Sequence, residues 1–451
     1  MLEKNNKKTI NGWCMYDWAN SVYALVITTA IFPEYFLGVT STQEGVSNLS
    51  LFGIEMTNSV VYSYTITVAF LLVALLNPFL SAIADSGGNK KKFMQFFCYL
   101  GAASCTGLFF FTRETPELGV ILFGLAGVGF AGSLVFYNSF LPEIASEDRF
   151  DKVSAKGFAL GYIGSVLLLV VNLVMILQPS VFHIPVDLET GKALDGTLAP
   201  RISFLTVGVW WAGFAQFTFR RLPDNVYGRK VSDSYFKKGI TEFKKVYGEV
   251  QQLPLLKRFL VAFLFYSMGV QTVMYMATVF GKEVVKLEQS ELIVLVLILQ
   301  FLAIFGAYLF SLISNNKGNI FSLTIIVAIW VGVCAAAYFI GAGMKTEFYI
   351  LGGVVGTVMG GVQSMSRSTY SKLIPQETKD HASYFSFYET IEKLSIALGT
   401  FVYGLVLSIT GTMNNSTLAL GVFFIIGLLL LLRIPSKKIY NTSLDNPQGL
   451  D

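Results

Sequence analysis

"SAIADSGGNKKK", residues 81–92, packs three kinds of chemistry into twelve residues. Ser81–Ala84 close a long apolar run, and Asp85 stands where that helix would end. Gly87 and Gly88 permit a tight turn, and Lys90, Lys91 and Lys92 open the next element. Apolar runs flank the stretch at 58–84 and 93–111, each long enough to cross ~30 Å of hydrocarbon. The whole reads as two membrane helices joined by a short cationic hinge. Lysines collect in cytoplasmic loops, which predicts the side on which the hinge lies.

Working outward, runs of this kind recur along the chain at 17–38, 58–84, 93–111, 118–137, 154–177, 202–219, 258–280, 290–313, 320–342, 347–366, 383–410 and 417–434. Composition agrees, with 53% hydrophobic and 14% charged residues among 451 and a mean hydropathy of +0.59. The first run lacks a small-residue cleavage site and is followed by further spans, so it is not read as a signal peptide. Twelve spans put both termini on one side. With that side cytoplasmic, six of the 33 Lys and Arg fall in external loops (Arg113, Lys192, Arg201, Lys282, Lys286, Lys345), Lys393 lies within a span, and the other 26 are inside. Both termini are therefore expected in the cytoplasm of a cell carrying the protein in its inner membrane. The net charge of +4 is a topology signal scattered over separate loops and gives no case for nucleic acid. Cys14, Cys98, Cys105 and Cys334 show no metal spacing and read as free thiols, and the two histidines, His183 and His381, fall in loops. No nucleophile motif, phosphate loop or dinucleotide turn occurs, so neither enzyme activity nor a cofactor is expected.

The connection 220–257 divides the spans six and six. Within it "SYFKKGITEFKKVYGEV" places Phe236, Ile240, Phe243, Tyr247 and Val250 at helical spacing among lysines, an amphipathic helix that either latches the halves or hides its apolar face as a linker. The domains expected are 1–219, a six-helix bundle; 220–257, the linker; and 258–451, a second bundle with its tail. "FLPEIASEDRFDKVS" after span four and "KLIPQETKDHASYF" after span ten share position and a Leu/Ile-Pro-x-Glu pattern. Two same-orientation repeats suggest a transporter with its site near the midplane. The external segment 179–200 is expected to form a small outer cap.

The 81–92 hinge resembles the signature loop of the major facilitator superfamily, with Ser81 where that family usually has glycine. Its counterpart, "SLISNNKGN" at 311–319, carries Asn315 at the acid position. An ordinary positive-inside turn accounts for the lysines but not for Asp85 with its glycines. Asp85, Gly88, Lys90 and Lys91 are thus gating candidates. "WCMYDWANSVYALVITTAIFPEYF" (13–36), "FYNSFLPEIA" (136–145), "GFALGYIGS" (157–165) and "GGVQSMSRSTYSKLIP" (360–375) resemble the vacuole effluxer-like family of major facilitators, which includes fungal vacuolar exporters of amino acids. The resemblance implies an all-α membrane protein of twelve transmembrane helices in two pseudo-symmetric six-helix bundles, working as a transporter and leaving the solute unspecified.

Candidate solute-binding or coupling residues come from polar groups inside apolar runs. Span one aligns Asp17, Asn20, Ser21, Thr28 and Glu34 or Tyr35 near one face; Asp17 serves either a polar pathway or simple capping at the inner boundary. Trp13 and Trp18 read as interfacial belt residues. Tyr137 and Asn138 end span four, Tyr266 and Gln271 lie in span seven, and Gln363 and Arg367 lie in span ten, where Arg367 could equally meet lipid phosphate. In "SFYETIEKLSIALG" (386–399), Lys393 falls about 15 Å into span eleven at ~1.5 Å per residue. A lone lysine there costs at least ~2.5–3.5 kcal/mol. Glu389, one turn earlier, faces it; Glu392 points about 100° away. A structural ion pair and a cavity lining are both open. The best reading is a secondary transporter of a small polar solute, an amino acid or similar zwitterion, by alternating access, as an exporter and with a coupling proton as possible partner. A drug or lipid-like exporter, or a non-transporting sensor or scaffold on the same fold, are the alternatives.

Overall fold

The computed structural model describes residues 4–41, 48–51, 53–187, 193–224, 235–375 and 377–435. Its helices are α1 (Lys7–Thr40), α2 (Asn58–Gly87), α3 (Lys90–Gly107), α4 (Pro116–Ser139), α5 (Phe150–Leu177), α6 (Leu198–Phe219), α7 (Tyr235–Gln252), α8 (Pro254–Phe280), α9 (Gln289–Lys317), α10 (Asn319–Tyr338), α11 (Lys345–Leu373), α12 (His381–Thr410) and α13 (Met413–Leu432). Among the described residues, eleven are long and apolar enough to cross a membrane. The thirty-residue α2, expected as a further span, is apolar over the shorter stretch Leu71–Asp85. Several helices outrun their apolar runs by a turn, because hydropathy marks the hydrocarbon and not the helix end. Between α1 and α2 a two-stranded antiparallel hairpin, β1 (Asn48–Leu51) and β2 (Ile54–Thr57), turns at Gly53.

The chain forms two compact units. One holds residues 1–140 and 160–242; the other holds 141–159 and 243–451. In the first, α1 packs on α6, α2 on α4, and α3 on both α4 and α6. In the second, α8 packs on α13, α9 on α11, and α10 on both α11 and α13, with α12 against α8. Helix for helix this is one packing scheme used twice, as the sequence echoes predict.

Tight helix approach carries much of that scheme. A Cβ at Gly356 or Gly360 of α11 would lie 2.5 and 2.0 Å from the carbonyl oxygens of Leu299 and Ala303 on α9. Backbones touch there, supplying the packing that replaces a hydrophobic drive in lipid. The 81–92 hinge and its 311–319 counterpart also share a device. Gly88 (φ +65°) ends one helix and Gly318 (φ +92°) the other, left-handed conformations that side chains resist.

The segment 179–200 is ordered where described. A short turn at Pro179–Phe182 and a bridge between Val186 and Ala193 fold it over a small core of Met175, Ile184 and Ala199. Asp195 accepts the Thr197 N–H (2.8 Å) and hydroxyl (2.6 Å), and the hydroxyl bond above all holds its carboxyl below the usual range. Residues 188–192 lie outside the described set.

The amphipathic reading of 236–250 becomes α7. Its last turns are tied to the start of α12: Lys245 pairs with Asp380 at 3.0 Å and Tyr384 donates to Glu249 at 2.8 Å. The side chains of Phe236, Ile240 and Phe243 lie outside the described set. His381, expected in a loop, instead opens α12 and is buried.

Candidate functional site

In the first unit the polar stripe of α1 divides into parts. Asp17 is buried and accepts a hydrogen bond from the Tyr137 hydroxyl at 2.7 Å, so two sequence-predicted residues meet across α1 and α4. Trp13, expected at the interface, is fully buried: its ring stacks on Tyr137 at 4.4 Å and its N–H donates to the Tyr137 carbonyl. The correction follows from position, since α1 begins at Lys7 and Trp13 lies nearly two turns inside it. Asn20 is buried, with Ser21 Oγ 3.5 Å from its Oδ1, and Asn138 is buried beside Tyr137 in sequence. Higher up, Tyr35 donates to the Phe111 carbonyl, which makes it packing. Between the two ends α1 leaves α-helical geometry: Tyr23–Ile31 is a π-helix, the Phe32 N–H reaches the Ile27 carbonyl and the Thr29 hydroxyl the Ala24 carbonyl, each five residues back. Such wide turns are frequent at functional sites.

The second unit holds the charged cluster of α12. Lys393 Nζ lies 2.8 Å from Glu392 Oε2 and 3.6 Å from Glu389 Oε2. Gln271 of α8 donates to the other Glu392 oxygen at 2.8 Å. Glu392 was expected to point away; it is the nearer carboxylate. Helical angle fixes where Cβ sits, whereas a four-carbon stem swings its ammonium across adjacent directions. Glu389 and Lys393 are buried, and Glu392 is 21% exposed at its side chain. Two carboxylates share one ammonium, all on a helix with an otherwise apolar span. Nearby, the Tyr266 hydroxyl bonds Ser366 Oγ at 2.8 Å, and Gln363 donates to Met274 Sδ at 3.4 Å.

Arg367 turns out to be wholly internal. Its guanidinium donates to the hydroxyl and carbonyl of Ser154, both at 2.9 Å, and lies over the Phe158 ring at 4.0 Å. One turn along, a hub appears that the sequence reading missed. Asp151, at the start of α5, accepts from Lys372 (2.9 Å) and Ser314 (2.7 Å) on one oxygen and from Asn319 (2.7 Å) and Ser368 on the other. Lys372 also donates to Asn319 Oδ1 at 2.7 Å, and both charged side chains are only 2% exposed. Ser368 and Lys372 at i, i+4 on α11 were the one local signal available. Asp151 lies between 163 and 221 residues from its partners, beyond any sequence window.

At the hinge, Asp85, Lys90 and Lys91 are all buried. Lys91 donates to the Leu222 carbonyl and pairs with Asp224, both at 2.9 Å, and Lys90 lies over the Phe140 ring at 5.3 Å. The lysines of a plain positive-inside turn would face water; these are built into the end of the bundle. Should the hinge act on the conformational equilibrium, Asp85→Asn would leave solute affinity within about twofold and slow flux about tenfold. Binding and flux assays on purified protein check this, and an equal loss of both would assign Asp85 to the site or to folding.

All four cysteines are free and buried. Among the described residues no group of three or more His, Cys, Asp or Glu is placed to hold a metal.

Known proteins extend these observations. The family profile described as vacuole effluxer Atg22 like matches residues 5–442. The MFS-type transporter YxiO of Bacillus subtilis is 31% identical over 98% of both chains. Autophagy-related protein 22 of Coccidioides immitis is 24% identical over 88% of this chain and 82% of its own. Among solved structures, the proton:xylose symporter XylE superposes with a TM-score of 0.67 at 12% identity, covering 96% of this chain and 95% of XylE. The transporter FucP in its outward conformation gives 0.65 at 12%, covering 94% and 97%. At that identity the two structures speak for the fold alone, while the profile and YxiO speak for the lineage. The chain belongs to the vacuole effluxer Atg22-like family of major facilitator superfamily transporters.

Proposed function

We propose that the protein exports a small polar solute, an amino acid or related zwitterion, by alternating access. The observation that carries this reading is the Glu389–Lys393–Glu392 cluster held by Gln271 inside a membrane-spanning helix. Two buried charges and a third that is only partly exposed, held for architecture alone, would be matched or bettered by apolar packing of the same volume. A solute with fixed opposite charges, by contrast, needs partners of both signs once desolvated. The cluster offers an ammonium for a carboxylate, and a carboxylate in excess for an ammonium or a coupling proton. The family description, vacuole effluxer, names release of solute from a compartment and is the support for the exporter part of this reading. Counterflow in proteoliposomes preloaded with single amino acids tests the reading. Stimulated exchange for one class of amino acid is expected, and no exchange with any amino acid would remove it.

Both termini are proposed to be cytoplasmic, from the distribution of Lys and Arg. Because the native cysteines are buried, introduced ones can be read against a quiet background. Gly196→Cys should react with a membrane-impermeant maleimide in intact cells, and Asn316→Cys only after permeabilisation. The reverse pattern would invert the topology.

A further inference from the structure

The charged cluster of α12 has a further neighbour on α8. Gln271 reaches Glu392 from that helix, and Tyr275 stands four residues on, hence on the same face and about 6 Å further along it. The Tyr275 phenol lies in the field of the cluster: Lys393 acts on it more strongly than Glu392 does, which puts it on the ammonium side of the ion pair. The interaction is mutual, since Tyr275 in turn bears on Lys393. Tyr275 is partly exposed, unlike the buried Glu389 and Lys393. Its hydroxyl makes no hydrogen bond among the described residues.

Elsewhere in the cluster the donors are already engaged. Gln271 gives its amide to Glu392, and Lys393 gives an N–H to the same carboxylate at 2.8 Å while facing Glu389 at 3.6 Å. A solute carboxylate that met Lys393 alone would also meet two glutamates, and like charges at such range cancel much of the attraction. A neutral donor beside the ammonium alters that balance, because hydrogen bonds to an ionised acceptor are about twice as strong as those between neutral groups. We propose that Tyr275 and Lys393 together receive the carboxylate of the solute. The Tyr275 hydroxyl donates to one oxygen and Lys393 Nζ to the other, and the ammonium of the same molecule turns to the glutamates. This rests on the reading of the cluster as an amino-acid site and narrows it, since an amine without a carboxylate forfeits both contacts.

The test uses the full-length protein in proteoliposomes, with counterflow of each of the twenty common amino acids to find those that exchange. Tyr275→Phe, which removes one oxygen, should raise the half-saturating concentration of such an amino acid about tenfold, the equivalent of one hydrogen bond. Inhibition by the amine of the same side chain, which lacks the carboxyl group, should change less than twofold, because that molecule has nothing for the phenol to hold. The unfolding temperature of the solute-free variant should equal that of the native protein. With 3-fluorotyrosine at position 275, the fluorine resonance should shift on adding the amino acid and stay in place with the amine. An unchanged half-saturation or a silent resonance would overturn the proposal. So would an equal loss for amino acid and amine, or a lowered unfolding temperature, either of which would make the hydroxyl structural. Absence of exchange with any amino acid in the native protein would instead remove the underlying reading, and this inference with it.

Discussion

Lys393→Ala is expected to reduce amino-acid flux in proteoliposomes at least a hundredfold and to lower the yield of folded protein. Removing the ammonium leaves Glu389 and Glu392 facing each other across a site from which water is largely excluded, and an uncompensated charge there is costly. The yield loss and the flux loss have different origins, and a second variant separates them. Lys393→Ala combined with Glu389→Ala and Glu392→Gln removes every charge of the cluster while Gln271 keeps a hydrogen-bonding partner. Folded yield should recover, because no buried charge remains unpaired; flux should not, because the groups proposed to meet the solute are gone. Neutralising Glu389 alone would be insufficient, since the nearer carboxylate is Glu392 at 2.8 Å. Size-exclusion yield and counterflow read the two quantities. Full flux in the triple variant would make the cluster architectural and move the solute site elsewhere.

Lys372→Met should be the most destabilising single change in the second unit. Asp151 and Lys372 are each 2% exposed, and breaking such a buried pair from one side costs about 3–5 kcal/mol. Ser314, Ser368 and Asn319 still donate to the carboxylate, which places the expected loss toward the lower end. Pairing it with Asp151→Asn removes the stranded charge and should restore most of the lost stability. Thermal unfolding in detergent measures both. An unaltered midpoint in Lys372→Met would show that the pair is open to water.

What the sequence disclosed and what it withheld follow from the range of the interactions involved. Spans, hinge and the α12 charges are local: a run of apolar residues, a pair of glycines before lysines, or a lysine among leucines is visible within twenty residues. The Asp17–Tyr137 contact was half legible, since both residues were polar groups inside apolar runs but nothing tied one to the other. The Asp151 hub escaped because it gathers residues from α5, α9, α10 and α11, and serine and asparagine at helix ends are unremarkable singly. Glu392 was misplaced because angular position on a helix describes the start of a long side chain and not its end. The departure of α1 from α-helical winding had no signature either: "YALVITTAI" is apolar and β-branched, and nothing in its composition selects bonds to the fifth residue over the fourth.

That winding bears on how this chain and its relatives are compared. The stretch from Asp17, tied to Tyr137, to Tyr35, tied to the Phe111 carbonyl, is fixed at both ends while its middle is wound more loosely. A wide turn accommodates an extra residue without moving either end. Lineages that shed one residue between these anchors can therefore keep both contacts by tightening the coil, and an alignment gap there would record no change of architecture. A gap of the same size in the α-helical stretch Lys7–Val22 would instead rotate Asp17 by about 100° and part it from its tyrosine. Length polymorphism in the first span should accordingly cluster within Tyr23–Ile31.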